Sequence, residues 1–203
     1  MDALEKLAEI FKKFPGIGPR QAKRFVYHLL QENDQDIAEL INSISNVKRG
    51  VSVCGKCYRY FENKNKEQIV PCSICSNQSR DQNTLMIIAK DIDLQAVEKS
   101  RAYNGLYFVL GNTVPILEEE PHKKIRQGEL LDRINDLPLK EIIIATSVNT
   151  EGEHTAFYLT TLLKPQIEQR GIKITTLGRG LSTGTELEYS DGDTLKSALE
   201  NRH

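Results

Sequence analysis

All four cysteines of this 203-residue chain fall in one short stretch, as Cys54-x-x-Cys57 and Cys72-x-x-Cys75, with 14 residues between the pairs. Thiolates two residues apart turn both sulfurs onto one ion, and two such pairs close a tetrahedron around Zn²⁺. The alternative is two structural disulfides. The start, Met1-Asp2-Ala3-Leu4-Glu5-Lys6, has no cationic end followed by an apolar run, so the chain reads as cytosolic, where thiols stay reduced. Four thiolates also leave zinc no open position for water, which points to one structural ion per chain rather than a catalytic one.

The cysteines divide the chain by charge. Residues 1–80 carry 13 Lys+Arg against 9 Asp+Glu, and residues 81–203 carry 14 against 19, a split of +4 and −5. A basic front argues for an anionic partner there, against the plainer reading of an ordinary mixed surface. Hydrophobic residues make up 39% of the chain, and no apolar run approaches the roughly 20 residues of a membrane span.

Before the cysteines the pattern is helical. Leu4, Leu7, Ala8 and Phe11 recur at helix spacing. Phe14-Pro15-Gly16-Ile17-Gly18-Pro19 then breaks the helix, and Pro19 suits the first turn of the next one, which should run to about Leu30. On that second helix Ala22, Phe25, Val26 and Leu29 form an apolar stripe, opposite Arg20, Lys23, Arg24 and Tyr27. Gly16 and Gly18 bring bare amides to the helix N-terminus, where amides and dipole together make a phosphate site. Pro15-Gly16-Ile17-Gly18 followed by Ala22 resembles the helix-hairpin-helix motif of DNA-repair proteins; a packing unit with a solvated basic face is the alternative. A third helix follows, with Asp36 as expected N-cap and Glu39 at the capping-box position. Its stripe of Ile37, Leu40, Ile41 and Ile44 either covers the hairpin or meets a second subunit.

Val51 to Cys54 and Ile69 to Cys72 read as short extended pieces, each running into a Cys-x-x-Cys turn, with a polar loop from Glu62 to Gln68. Tyr58, Tyr60 and Phe61 either stack on bases or shield the metal. From Leu85 the pattern alternates strand and helix. Strands are expected over Leu85–Ala89, Tyr107–Leu110, Glu141–Thr146 and Ile172–Leu177, with helices between them from Asp91, over Ile125 to Ile134, and from His154 to about Gln169. The fold class is therefore mixed α/β, with a mostly parallel sheet and helices on both faces. Ligands gather at the carboxyl ends of such strands. Glu151 and Glu153 sit just past the third strand, as Mg²⁺ ligands or as helix N-terminal acids.

This back half resembles a Toprim domain, the module of topoisomerases and primases, which pairs a Glu at the end of its first strand with two acids after its third. Here the pair is Glu151 and Glu153, but the first-strand position is Ala89, followed by Lys90. Two-metal phosphoryl chemistry needs fixed ligands, so the site reads as non-catalytic. His28, His122, His154 and His203 are scattered and build no triad with Ser or Cys. The tail carries Gly178, Gly180 and Gly184 in a spacing that matches no phosphate-binding P-loop, then Asp193 as the expected cap of a terminal helix from Thr194 to about Asn201.

Three signatures in this order, Pro15–Ala22, Cys54–Cys75, and a Toprim-like region with Glu151-Gly152-Glu153 followed by Leu187-Glu188-Tyr189, closely resemble the bacterial recombination mediators of the RecR family. The resemblance implies a helix-hairpin-helix over 1–50, a four-cysteine zinc finger over 51–79, a Toprim domain over 80–177, and a C-terminal oligomer-contact segment over 178–203. It implies a ring-like tetramer that clamps single- and double-stranded DNA. It implies action with RecO, and RecF, in loading RecA at single-stranded gaps, and a cytoplasmic, nucleoid-associated location. It assigns DNA contact to Arg20 and Arg24, to which the local chemistry adds Gly16, Gly18 and Lys23, and partner binding to Glu151 and Glu153, with no catalytic residue. Ala89 and the acidic Glu118-Glu119-Glu120, where the family has a Gly-rich loop, depart from the pattern. A Mg²⁺-dependent nuclease or other phosphoryl-transfer enzyme is the competing reading.

Overall fold

The computed structural model describes residues 1–63, 70–178, 180, 181, 184 and 186–200. The chain divides into two compact units, Met1–Val51 with Glu62–Lys64, and Ser52–Phe61 with Asn65–His203.

The first unit is helical: α1 (Ala3–Phe11), α2 (Pro19–Leu29) and α3 (Asp34–Gly50). Asp2 caps α1 by accepting from the Glu5 amide at 2.8 Å, and the Glu5 carboxylate accepts from the Asp2 amide in return. Ala8, Ala22 and Val26 are buried between α1 and α2, with Leu7, Phe11 and Ile17 against them. The rings of Phe11 and Phe25 meet edge-on at 5.6 Å. The expected α2 stripe is thus real, with Ala22 and Val26 at its centre and Phe25 and Leu29 at its half-buried margins.

The start of α3 corrects the sequence reading. The cap is Asn33, whose side-chain oxygen accepts from the Asp36 amide at 2.9 Å while its side-chain nitrogen donates to the Asp36 carboxylate at 2.7 Å. Asp36 is the third residue of the helix, whose amide this cap satisfies, and the helix opens before it at Asp34. No residue of α3 is buried, and Leu40, Ile41 and Ile44 stand exposed.

The second unit is built on a sheet. A short ribbon of β1 (Val51–Val53) and β2 (Tyr60–Glu62) brackets the first cysteine pair, and α4 (Ser73–Ser76) carries the second. Residues 64–69, which hold most of the expected polar loop and the start of the second extended piece, lie outside the described residues. Then come β3 (Asp81–Ile88), α5 (Asp91–Ser100), β4 (Gly105–Val109), α6 (Gln127–Asn135), β5 (Glu141–Ala145), α7 (Thr150–Arg170), β6 (Lys173–Thr176) and α8 (Gly192–Glu200). The sheet runs β4-β3-β5-β6, and every pairing is parallel. β3 leads to one side and β4 crosses to the other, so the winding reverses between β3 and β5. Open α/β sheets bind ligands at that crevice.

The period-2 alternation of the strands separates two cores. Leu85, Ile87, Leu106 and Phe108 face Leu130 and Ile134 of α6 and Leu159 and Leu163 of α7. Met86, Ile88, Tyr107 and Val109 face Leu94 of α5 and the four cysteines. One face therefore depends on the cysteine knuckle for part of its cover.

α7 begins at Thr150, four residues before the expected His154, and ends within one residue of the expected Gln169. α7 continues through Pro165 to Arg170, where Gly171 at φ 65° ends it by donating to Ile167 O at 2.8 Å. Asp191 rather than Asp193 caps α8, accepting from the Thr194 amide at 2.9 Å. Asn201 and four positions of the glycine-rich turn, 179, 182, 183 and 185, lie outside the described residues. Among the described residues no helix is long and apolar enough to cross a membrane.

Candidate metal centre and nucleic-acid interface

Cys54, Cys57, Cys72 and Cys75 are free thiols, all buried, with their sulfurs within 4.8 Å of one another. A tetrahedral ion about 2.3 Å from each sulfur needs edges of about 3.8 Å; Cys57 and Cys72 already stand 3.6 Å apart. Amides of Lys56 and Cys72 donate to the Cys54 sulfur at 3.4 and 3.2 Å. The neighbouring sulfurs, Cys57 foremost, hold the Cys54 thiol far below its ordinary value, against the opposing effect of burial. Four buried sulfurs in one ring, one of them supported by backbone donors, are a metal ligand set. The four cysteines are arranged to hold one ion.

The knuckle is bolted to the sheet. Its Cys57 carbonyl accepts from Val109 N at 2.9 Å, at the last residue of the outer strand β4. Tyr58 takes the left-handed conformation at φ 61°, uncommon for a residue with a Cβ. Its ring packs on Phe108 at 5.4 Å and under the Arg126 guanidinium at 5.5 Å. Arg126 also donates to Val109 O at 2.9 Å and Tyr58 O at 3.3 Å. Tyr58 thus packs against the core that holds Phe108, whereas Phe61 packs against the cysteine cluster and Tyr60 is exposed.

In the helical unit, Gly16 sits at φ 78° and Gly18 is the N-cap of α2. No side chain caps this helix, whereas side chains cap α1, α3 and α7. The first-turn amides are left to an outside acceptor, with the positive end of the dipole behind them. Arg20, Lys23 and Arg24 are all exposed beside it, and none forms an ion pair among the described residues.

At the β3/β5 crevice the acids have other work. Glu151 and Glu153 lie in the first turn of α7, whose N-cap Asn149 accepts from the Gly152 amide at 2.8 Å. Glu151 accepts from the Thr113 hydroxyl. Thr155 of the same helix accepts from Val114 N at 2.8 Å, and His154 Nδ1 lies 3.1 Å from Val114 O, so the loop after β4 is latched to α7. Glu153 is exposed. Ala89 is buried at the end of β3, and Lys90 is exposed beside it. The nearby Asp93 accepts from Lys90 N at 3.0 Å, and Asp91 from Tyr60 N at 2.7 Å. Among the described residues, only the cysteines bring three or more potential ligand atoms together.

Family comparisons divide the chain in the same order as these features. A family described as RecR, helix-hairpin-helix matches residues 4–48, the Toprim domain matches 83–178, and RecR, C-terminal matches 180–203. The chain is 37% identical over 201 residues to "Recombination protein RecR" of Lactococcus lactis subsp. lactis (strain IL1403), covering 99% of this chain and 96% of that one. The chain belongs to the RecR family. Two further RecR proteins agree: one from Staphylococcus haemolyticus (strain JCSC1435), 37% identical with 99% and 96% of the chains covered, and one from Roseiflexus castenholzii (strain DSM 13941 / HLO8), 39% identical over 197 residues with 97% and 91% covered.

Sequence reasoning missed several parts of this RecR-family site. Arg126, Thr113 and Thr155 act through contacts 17 to 68 positions away in sequence. Periodicity and short motifs carry no signal for such pairings. Tyr58 had one available signal, its place directly after Cys57, where the chain must turn sharply.

Proposed function

We propose that this RecR-family chain is a DNA-binding clamp and recombination mediator that acts with RecO, and RecF, to load RecA at single-stranded gaps. The observation that supports it best is the uncapped N-terminus of α2 beside the exposed cations Arg20, Lys23 and Arg24. Amides of the Gly16–Gly18 bend take a phosphate and the side chains add charge, so the grip follows the backbone of single or double strands without reading bases. The division of labour is the helix-hairpin-helix over 1–50 for DNA, the four-cysteine finger over 51–79 for rigidity, the Toprim region over 80–177 for partners, and 178–203 for subunit contacts. Zinc is the ion the thiolate set fits, one per chain, as a structural clamp. The exposed stripe of α3 supports assembly into a ring, in keeping with a tetramer. Glu151 and Glu153 serve partner binding, at a crevice with no carboxylate at Ala89. A cytoplasmic, nucleoid-associated location follows from this role.

Fluorescence anisotropy on single-stranded and duplex oligonucleotides tests the reading. Arg20→Glu with Arg24→Glu should lose DNA binding while circular dichroism and metal content stay unchanged, and RecA loading with RecO should fail with it. Undiminished binding at low salt would overturn it. The Toprim match and Glu153, exposed in the first turn of α7, favour one second reading, a Mg²⁺-dependent phosphoryl-transfer enzyme. DNA cleavage by purified protein with Mg²⁺, abolished in Glu153→Gln, would establish it instead.

A further inference from the structure

A cleft of about 230 Å³ opens between the cysteine knuckle and α6, away from the Toprim crevice. Glu129, Asp132, Arg133 and Asp136 line it from α6, and Lys56 from the knuckle turn. The helical spacing puts these four α6 residues on one face. Arg133 is only 8% exposed. Among the described residues it forms no ion pair, and its Nε has no hydrogen-bond partner. A buried guanidinium with an unpartnered Nε and no carboxylate paired with it is costly, and an arginine always keeps its charge. Glu129, Asp132 and Asp136 are exposed, and none forms an ion pair among the described residues. Asp136 is the C-cap of α6, where the helix dipole disfavours a carboxylate. The described part of the chain pairs none of these charges.

We infer that this cleft is a docking site for a basic peptide segment of a partner protein. Arg133 takes a main-chain carbonyl of the peptide, and the three carboxylates hold its Lys or Arg side chains. Charge selects this occupant: three carboxylates against two cations repel a phosphate strand but suit a cationic chain. The peptide backbone supplies a neutral acceptor to a guanidinium that no carboxylate pairs among the described residues.

The test uses the full-length, metal-loaded protein and a fluorescein-labelled, N-acetylated, C-amidated peptide of alternating lysine and glycine. Binding should weaken at least about tenfold in Asp132→Asn with Asp136→Asn, and again in Arg133→Met. The second variant is the discriminating one. A mere acidic patch would bind the cationic peptide more tightly once Arg133 is gone. If Arg133→Met does not fold, Arg133→Lys, which keeps the charge but not the planar fork, should weaken binding in the same sense. Unchanged or tighter binding in the Arg133 variants would overturn the inference. So would equal binding of a glutamate–glycine peptide, or displacement of the lysine peptide from the cleft by a single-stranded oligonucleotide that binds in its place.

Discussion

Gly152 separates Glu151 from Glu153, and a Cβ there would lie 2.0 Å from the backbone oxygen of Ser147. Backbone cannot yield as a flexible side chain does, so Gly152→Ala must push the start of α7 off the end of β5. The expected cost is about 1–3 kcal/mol in urea unfolding, together with loss of the Thr113–Glu151 latch. Glu98 makes a second residue-scale prediction. Burial alone would raise its carboxyl, but hydrogen bonds from Arg80 at 2.5 Å and Tyr107 at 2.7 Å, with the Arg80 charge, more than offset that and hold it below 4.5. A carboxyl lowered by folding stabilises the folded state above its unfolded value and loses that contribution as pH falls through the folded one. Glu98→Gln should therefore cost about 1–3 kcal/mol at neutral pH, with the deficit shrinking as pH falls through the carboxylate's lowered folded-state value. A deficit equal at pH 7 and pH 3 would contradict the pairing.

At the scale of elements, the knuckle behaves as part of the sheet's core. Its cysteines pack with Met86, Ile88, Tyr107 and Val109 rather than forming a separate bead. Metal loss should therefore reach the sheet: Cys72→Ala, or chelation, should remove the ion and lower the melting temperature of the second unit. The free energy of a structural site of this kind is on the order of 10 kcal/mol. Elemental analysis and calorimetry check it, and an unchanged melting curve without metal would contradict it. The cysteine spacing and the apolar periodicity made the fold legible, because both are local: α2 and the four strands of the sheet lie within a few residues of where their patterns put them. Helix ends were less legible. Asn33 and Asp36 both suit a cap, as do Asp191 and Asp193, and only the path of the incoming chain decides between them. The Tyr58–Arg126–Val109 clamp was invisible, since each partner is an ordinary residue until the fold brings them together.

At the scale of the molecule, the charge split becomes a division of tasks. The basic front holds a helix whose first-turn amides and three flanking cations are unclaimed among the described residues. The acidic back holds a crevice whose carboxylates are partly tied into its own loops. The central claim is that the front grips the sugar–phosphate backbone. The most direct measurement is the slope of log affinity against log salt concentration for a single-stranded oligonucleotide, in wild type and in Arg20→Glu/Arg24→Glu. On single strands each lost phosphate contact should flatten the slope by about 0.7, so the double variant should be shallower by about 1.4 and weaker at every salt concentration. Identical slopes and affinities would show that the strand is held elsewhere.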